Sequence, residues 1–436
     1  MVATRTYIGV ISVTILIIGI FLAETWVLSL DFDTRGRILR AQVVFIIESI
    51  MFGMSVFVWK NVSDLFHKGS KSTLTKHNRD TRWTKFNGDG QETNHNRNLQ
   101  NRPVHVKIWN ALLLLYLAAV HASYVSNVWF VRTEPTWFAI ITYLSFAFHI
   151  QLLTAIVLLK VVSYFKKLVF KKPIQHQTTI VLSLLYAACV AFYGHYNAYY
   201  RPIAVKHVQI PIKDLPASLD GLTITHLSDI HLGVTVGRSK LREAVNIAND
   251  LNSDITVIVG DLVDGYVYQI GEAADLLTQI KSSNHEYYTM DAHNWLLKLQ
   301  SLGVNVLHNS NTKIPQDDRP SIEQYSSHGM DLDRALLGCP KEQPVILLAH
   351  QPKAAKIALD SGNKIDLVLS GHTHGGQMFP LTIGAYLFNP FYVGLYKYGD
   401  HSHVYVSMGT IYWGMPVRFM THKEIIKITL TRLSEN

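Results

Sequence analysis

The chemistry-bearing residues of the C-terminal half fall into five short clusters: Asp229-Ile230-His231, Gly260-Asp261, Asn284-His285-Glu286, His350, and Gly371-His372-Thr373-His374. Four of them directly follow short apolar runs that read as strands, at 222–227, 255–259, 345–349 and 365–369. A single Asp or His after a strand is most often a cap or turn residue. Repetition within one domain is harder to dismiss. Together these residues supply carboxylate oxygens, an amide oxygen and several imidazoles, a mixture suited to Mn, Fe or Zn rather than to Ca, which takes oxygens, or Cu(I), which takes thiolates. In each pair separated by one residue, side chains at i and i+2 of an extended segment point the same way. The donors suffice for two ions, and paired ions about 3.5–4 Å apart activate water and neutralise a phosphoryl group during in-line displacement.

The elements that must position these groups have an α/β texture. Pro202, Pro211 and Pro216 punctuate a linker, 201–218, with an alternating stretch at 205–212 that predicts an edge strand. Leu241, Ala244, Val245, Ala248 and Leu251 form a helical stripe after the first strand, and 273–280 and 353–359 are also helical in pattern. Runs at 404–407 and 425–430 predict strands of a second sheet. In such folds polar ligands gather at the carboxyl ends of strands, where four of the five clusters fall.

As a set, Asp229-x-His231, Gly260-Asp261-x-x-Asp264, Asn284-His285-Glu286, His350 and Gly371-His372-x-His374 resemble the calcineurin-like metallophosphoesterases, in that family's order. The flanking text 219–224 and Gly375-Gly376-Gln377 is similar to the branch of bacterial membrane-associated phosphodiesterases. The resemblance covers 205–431 and implies an α/β two-sheet sandwich with helices on both outer faces, within a domain spanning 219–436. It implies that Asp229, His231 and His374 hold one metal, that Asn284, His350 and His372 hold the other, and that Asp261 bridges them. His285 would interact with the phosphate and protonate the leaving oxygen. Other residues have plainer readings. His226 reads as packing, Asp264 either as a hydrogen-bond partner of a ligand histidine or as a turn residue, and Trp413, Phe388 and Phe391 as core or bilayer-surface rings that could also meet an apolar substrate tail.

The pattern departs from the family in two places. The text 279–284 runs from a helix straight into Asn284, without the expected apolar strand and Gly, and 311–328 is a polar loop with Pro315 and Pro320 where another strand is expected. Two functions from different classes follow. One is a membrane-anchored, dinuclear-metal phosphoesterase acting on a phosphodiester or phosphomonoester, with a phospholipid as one candidate. The other is a catalytically impaired membrane scaffold or binding protein, on account of strands missing before Asn284 and after Asn311.

The N-terminal 200 residues explain the composition: of 436 residues 48% are hydrophobic and only 17% charged, a deficit of charge that a soluble enzyme rarely shows. Apolar stretches at 7–30, 41–59, 108–130, 138–162 and 178–200 are each long enough to cross a hydrocarbon core of about 30 Å. The first is too long for a signal peptide, and Glu48 in the second is a costly mid-span acid that a bundle neighbour would hold. The chain has two cysteines, which excludes a disulfide scaffold, and a formal charge of +8. The basic residues crowd the loop 60–107, whose tract 68–100 reads as disordered, and the loop 166–172, so a membrane partner accounts for them and no nucleic acid is expected. Positive-inside bias puts those loops in the cytoplasm, and the catalytic half after five spans on the non-cytoplasmic side. Protease added outside sealed cells should therefore remove a tag fused after Asn436; removal only when the cytoplasmic face is opened would reverse the orientation.

Overall fold

The computed structural model describes residues 32–63, 65, 103–281, 284–286, 292–307, 309–314, 322–325, 331–340 and 343–433. The span expected at 7–30 and the tract 68–100 lie outside them. The four remaining spans are continuous helices: α1 (Phe32–Val62), α2 (Val104–Trp129), α3 (Trp137–Phe170) and α4 (His176–His195), the last running on as a π turn to Tyr200. Each contains a stretch long and apolar enough to cross a membrane. By compactness, α1 as far as Asn61 forms one unit and the chain from Val62 onward another.

The C-terminal half is a sandwich of two six-stranded sheets. The first runs in the order β1 (Ala204–Ile212), β12 (Glu424–Arg432), β2 (Thr223–Ser228), β3 (Ile255–Val259), β4 (Asn284–Glu286) and β5 (Asn305–Leu307). The second runs β10 (Gly394–Tyr398), β11 (Ser402–Val406), β9 (Leu367–Ser370), β8 (Val345–Leu348), β7 (Ile322–Tyr325) and β6 (Asn311–Ile314). Neighbours β2, β3, β4 and β5 are parallel, as are β7, β8, β9 and β11, so the carboxyl ends of the motif-bearing strands share an edge. Strands β2, β3, β8 and β9 are buried almost throughout, because both faces are covered. One face of each meets the other sheet: Ile224, Val257, Val259 and Ile426 pack in one cluster with Ile346, Leu348, Leu367 and Leu369. The outer face of the first sheet is covered by α5 (Arg238–Asp250), α6 (Val267–Ala274) and α7 (Ala292–Ser301), and that of the second by α8 (Leu332–Ala335) and α9 (Pro352–Asp360). The stripe of α5 predicted from sequence is the face it buries.

Three expectations are corrected. The strand at 425–430 belongs to the first sheet, as β12, between β1 and β2. Its nine residues match β1 along the full length of both strands, a pairing that alternation alone cannot reveal. Next, the sheet is not interrupted before the Asn-His-Glu cluster, because Asn284-His285-Glu286 is itself the strand that closes the gap between β3 and β5. Last, the polar loop after Asn311 contributes the hairpin partners β6 and β7, which complete the second sheet.

The first turns of α3 enter the outer core of the first sheet: Ala139, Tyr143 and Ala147 cluster with Ile230, Leu232, Leu262 and Met415. The loop between α2 and α3 caps α5, with Glu134 accepting from the Ser239 backbone N–H at 2.7 Å and Thr133 O from Arg238 N at 2.8 Å. This capping both satisfies orphan donors and complements the helix dipole.

Between the sheets lies His226, fully buried, with Tyr405 edge-on at 6.2 Å. Burial pushes its imidazole down to about 4 from an ordinary 6.5. Below pH 6.5 the unfolded chain takes up a proton that the folded one refuses until about pH 4, so stability falls through that window and not above it. In the metal-stripped full chain, His226→Leu should make the fall in thermal midpoint between pH 6.5 and 4.5 shallower; an unaltered slope would show that His226 is not held neutral.

Candidate metal centre

Ligand candidates sit where the backbone leaves its strands under strain. Asp229, His231, Asp261, His372 and His374 all have positive φ, between 44° and 68°. Non-glycine residues in this region cost roughly 1–2 kcal/mol each, and such strain concentrates at functional sites. The left-handed turn bends each chain at the strand end and aims the side chain across the sheet edge. Backbone bonds lock the loops together: His231 N–H donates to Asp261 O at 2.9 Å, Asp264 N–H to Leu232 O at 2.7 Å, and Gly371 N–H to His350 O at 3.0 Å. Two glycines are required by close approach. A Cβ on Gly260 would lie 2.3 Å from His350 Cγ, and one on Gly371 would lie 2.2 Å from Asp229 Oδ2.

Six of the predicted residues converge in two groups. Asp229, His231 and His374 present donor atoms within 4.8 Å of one another, all buried, and so do Asp261, His350 and His372, of which His372 is exposed. Oδ2 of Asp261 stands 3.1 Å from His350 Nε2 and 3.5 Å from His231 Nε2, between the two groups. Asp229 Oδ1 accepts from His372 N–H at 2.8 Å, and its Oδ2 accepts from the Ser228 hydroxyl at 2.5 Å.

The protonation pattern suits metal ions, which need ionised carboxylates and neutral imidazoles. Burial opposes ionisation of Asp229, but His374, His350 and His231 outweigh it and hold the carboxyl well below its usual range. Burial likewise opposes Asp261, which His350 and His231 bring down to about 2. Burial pushes His374 down to about 4 and, with His350 beside it, lowers His372. His231 goes the other way: burial works against its charge, yet Asp264, Asp261 and Asp229 raise it. Carboxylates that pull a proton onto a buried ring mark a site short of positive charge.

Tautomers point the same way. His231 Nδ1 lies 2.9 Å from Asp264 Oδ1, and His350 Nδ1 lies 2.9 Å from Val259 O; since both partners only accept, both rings donate through Nδ1. In a neutral His350 ring the Nε2 lone pair then faces the carboxylate of Asp261 at 3.1 Å, an approach that a cation between them would relieve, while His231 Nε2 lies 3.0 Å from His374 Nε2 and 3.5 Å from Asp261. The donor set fits divalent transition ions.

The structure describes Asn284 and His285 only as backbone; their side chains lie outside the described residues. β4 pairs with β3 in a register that sets Asn284 beside Val257 and Glu286 beside Val259. Asn284 is thus level with a residue four positions before Asp261. Sequence reading missed Arg418, fully buried, whose guanidinium donates to His374 O at 3.0 Å and lies 3.0 Å from His374 Nδ1. No motif flags it, since it reaches the site from a loop 44 residues away in sequence.

The fold, the strained strand ends and the two donor groups define a metallophosphoesterase domain behind a membrane region. Residues 222–376 match the model of the calcineurin-like phosphoesterase family. The chain is 37% identical to the zebrafish (Danio rerio) transmembrane protein with metallophosphoesterase domain, over 97% of this chain and 95% of that protein. It is 34% identical to the Bos taurus protein of the same name, with the same coverage. An uncharacterized metallophosphoesterase of Helicobacter pylori, strain J99, is 32% identical over 263 residues, 56% of this chain and 69% of that protein. The chain belongs to the calcineurin-like phosphoesterases, among the transmembrane proteins that carry this domain.

Asp264→Asn keeps the size of the side chain but removes the charge that fixes the His231 tautomer. Partners of this kind are worth about 10–100-fold in metal affinity. Titration of the stripped chain with Mn or Zn should show a loss of that size at one of two sites, and unchanged binding would leave Asp264 a turn residue only.

Proposed function

We propose that the chain is a membrane-anchored phosphoesterase working with a pair of divalent transition-metal ions, Mn, Fe or Zn, on a phosphodiester or phosphomonoester presented on the non-cytoplasmic side. The observation that carries this is the position of Asp261 Oδ2, shared between the donor groups at 3.5 Å from His231 Nε2 and 3.1 Å from His350 Nε2. Asp229, His231 and His374 would hold one ion, His350, His372 and Asn284 the other, with Asp261 offered to both. Ions so held bring a bound water toward ionisation near neutral pH and neutralise charge on the phosphoryl oxygens. The protein's own part is positional. Asp264 and the Val259 carbonyl orient His231 and His350, buried Asp229 stays ionised among imidazoles, and exposed His372 marks the side from which the phosphate enters. His285 interacts with the phosphate and protonates the leaving oxygen.

A second reading, an impaired membrane scaffold, is favoured by the register of β4, which sets Asn284 level with Val257 rather than with Asp261. Metal content and rate separate the two. The full chain should bind about two ions and hydrolyse a chromogenic phosphodiester. Asp261→Asn should cost metal as well as rate, whereas His285→Ala should lower turnover roughly 10²–10⁴-fold with the metal retained. Fewer than one ion per chain and no turnover would establish the scaffold.

A further inference from the structure

A cavity of about 260 Å³ opens between the donor groups and the membrane helices. It is lined by His231 and Asp264, by Tyr124 and Asn127 of α2, by Tyr143 and Phe146 of α3, and by Trp413. The Trp413 ring lies 6.0 Å from the His231 ring and is half exposed. Charged and ligating groups thus come from the donor side, while the two span helices contribute three aromatic rings and one amide, that of Asn127. Ligand pockets commonly combine an apolar lining with a few orienting polar groups. Here the apolar lining comes from helices whose outer faces belong in hydrocarbon.

A second exposed apolar element is joined to the loop that lines this cavity. The helix Leu381–Phe388 (α10) buries no residue, and Ile383, Leu387 and Phe388 are exposed. It is not a free appendage. Gln151 of α3 donates its side-chain amide to Phe379 O, at a point about 21 Å along α3 from Trp137, so α10 begins beside a span rather than above it. The same strand of chain is bolted to the cavity wall. The Gln377 side chain accepts from Trp413 N–H at 2.8 Å and donates to Trp413 O and Met415 O at 3.0 Å each. An exposed apolar helix is thus tied through the segment before it both to a span and to the loop that lines the cavity.

Resting on the phosphoesterase reading above, we infer that the substrate is an amphiphile, a lipid phosphoester whose phosphate sits at the metal centre and whose apolar chain next to the phosphate lies in the slot between α2, α3 and Trp413. The cavity is too small for a whole lipid. It takes the first part of a chain, the rest remaining in the bilayer. Each methylene moved from water into such a slot gains about fourfold in binding.

The test uses the full chain in nanodiscs and a series of p-nitrophenyl alkyl phosphodiesters, methyl, butyl and octyl, with release of nitrophenolate as the readout. In the native protein kcat/KM should rise steeply along the series. Longer esters also concentrate in the bilayer, so the slot is isolated by Phe146→Asp, assayed in the same nanodiscs. The octyl-to-methyl ratio should fall at least tenfold in that variant, and this ratio is internal to each preparation, so partial misfolding does not imitate it. A second variant, Tyr124→Asp, should lower the ratio from the other helix. Equal turnover of all three esters, or a ratio unaltered in both variants, overturns the lipid assignment while leaving the phosphoesterase standing. Absence of turnover for every ester would sink both.

Discussion

Asp229 is fully buried and ionised, and much of the catalytic half can be understood as the surroundings that make this tolerable. A buried carboxylate is affordable only when hydrogen-bonded and paired. Ser228 and the His372 backbone N–H satisfy its oxygens, and His374 Nε2 stands 3.3 Å from Oδ1. Bringing those partners together requires the carboxyl ends of β2 and β9, one from each sheet, to meet at a common edge. Left-handed backbone at Asp229, His231, Asp261, His372 and His374 completes the approach. Strain at five residues persists because two packed sheets leave the loops no room to relax. Neutral imidazoles alone do not balance Asp229, Asp261 and Asp264, and divalent cations would supply what the chain lacks.

The membrane helices are part of this scaffold rather than a leash. Arg418, which holds the His374 carbonyl, lies in a loop stitched to α4 and its π turn: Arg418 N–H donates to Gly194 O at 2.9 Å, and the Asn197 amide donates to Arg418 O and Thr421 O at 3.1 and 2.9 Å. Buried side-chain amides with both protons used are rigid anchors. The end of α4, the start of α3 and the loop after α2 therefore all touch the catalytic half. A movement of the bundle reaches His374 through one loop. The active centre and the membrane region form one mechanical piece from Val62 onward, which also explains why an apolar cavity can be shared between them.

Sequence alone picked out the six residues that converge and most strands because both rest on local rules. Strand ends followed by Asp-x-His or Gly-His-x-His carry their meaning within four residues, and the stripe of α5 is written in its own period. What escaped was set by partners distant in sequence. Strand β12 alternates in the same way whichever sheet receives it, and only its pairing with β1 decides. Short strands such as β4, β6 and β7 have three or four residues and little propensity of their own; they exist because unpaired neighbours in a buried sheet would cost about 1–3 kcal/mol per backbone group. Arg418 was unreadable for the same reason: its role is defined by His374, 44 residues earlier.

Strand β4 shows how such a constraint shapes the centre. Parallel pairing fixes Asn284 beside Val257, so along the strand its backbone stands about 13 Å short of the level of Asp261, four residues further on. The sheet is thereby closed by the very residues that the family's order assigns to the site. Closing the gap satisfies the backbone groups of β3 and β5. The two donor groups are also unequal in burial. Asp229, His231 and His374 form a buried set whose desolvated carboxylate has every reason to retain an ion. Asp261, His350 and His372 form an open set with one exposed imidazole. An ion held by the open set would be the more accessible of the two to water and to phosphate oxygens.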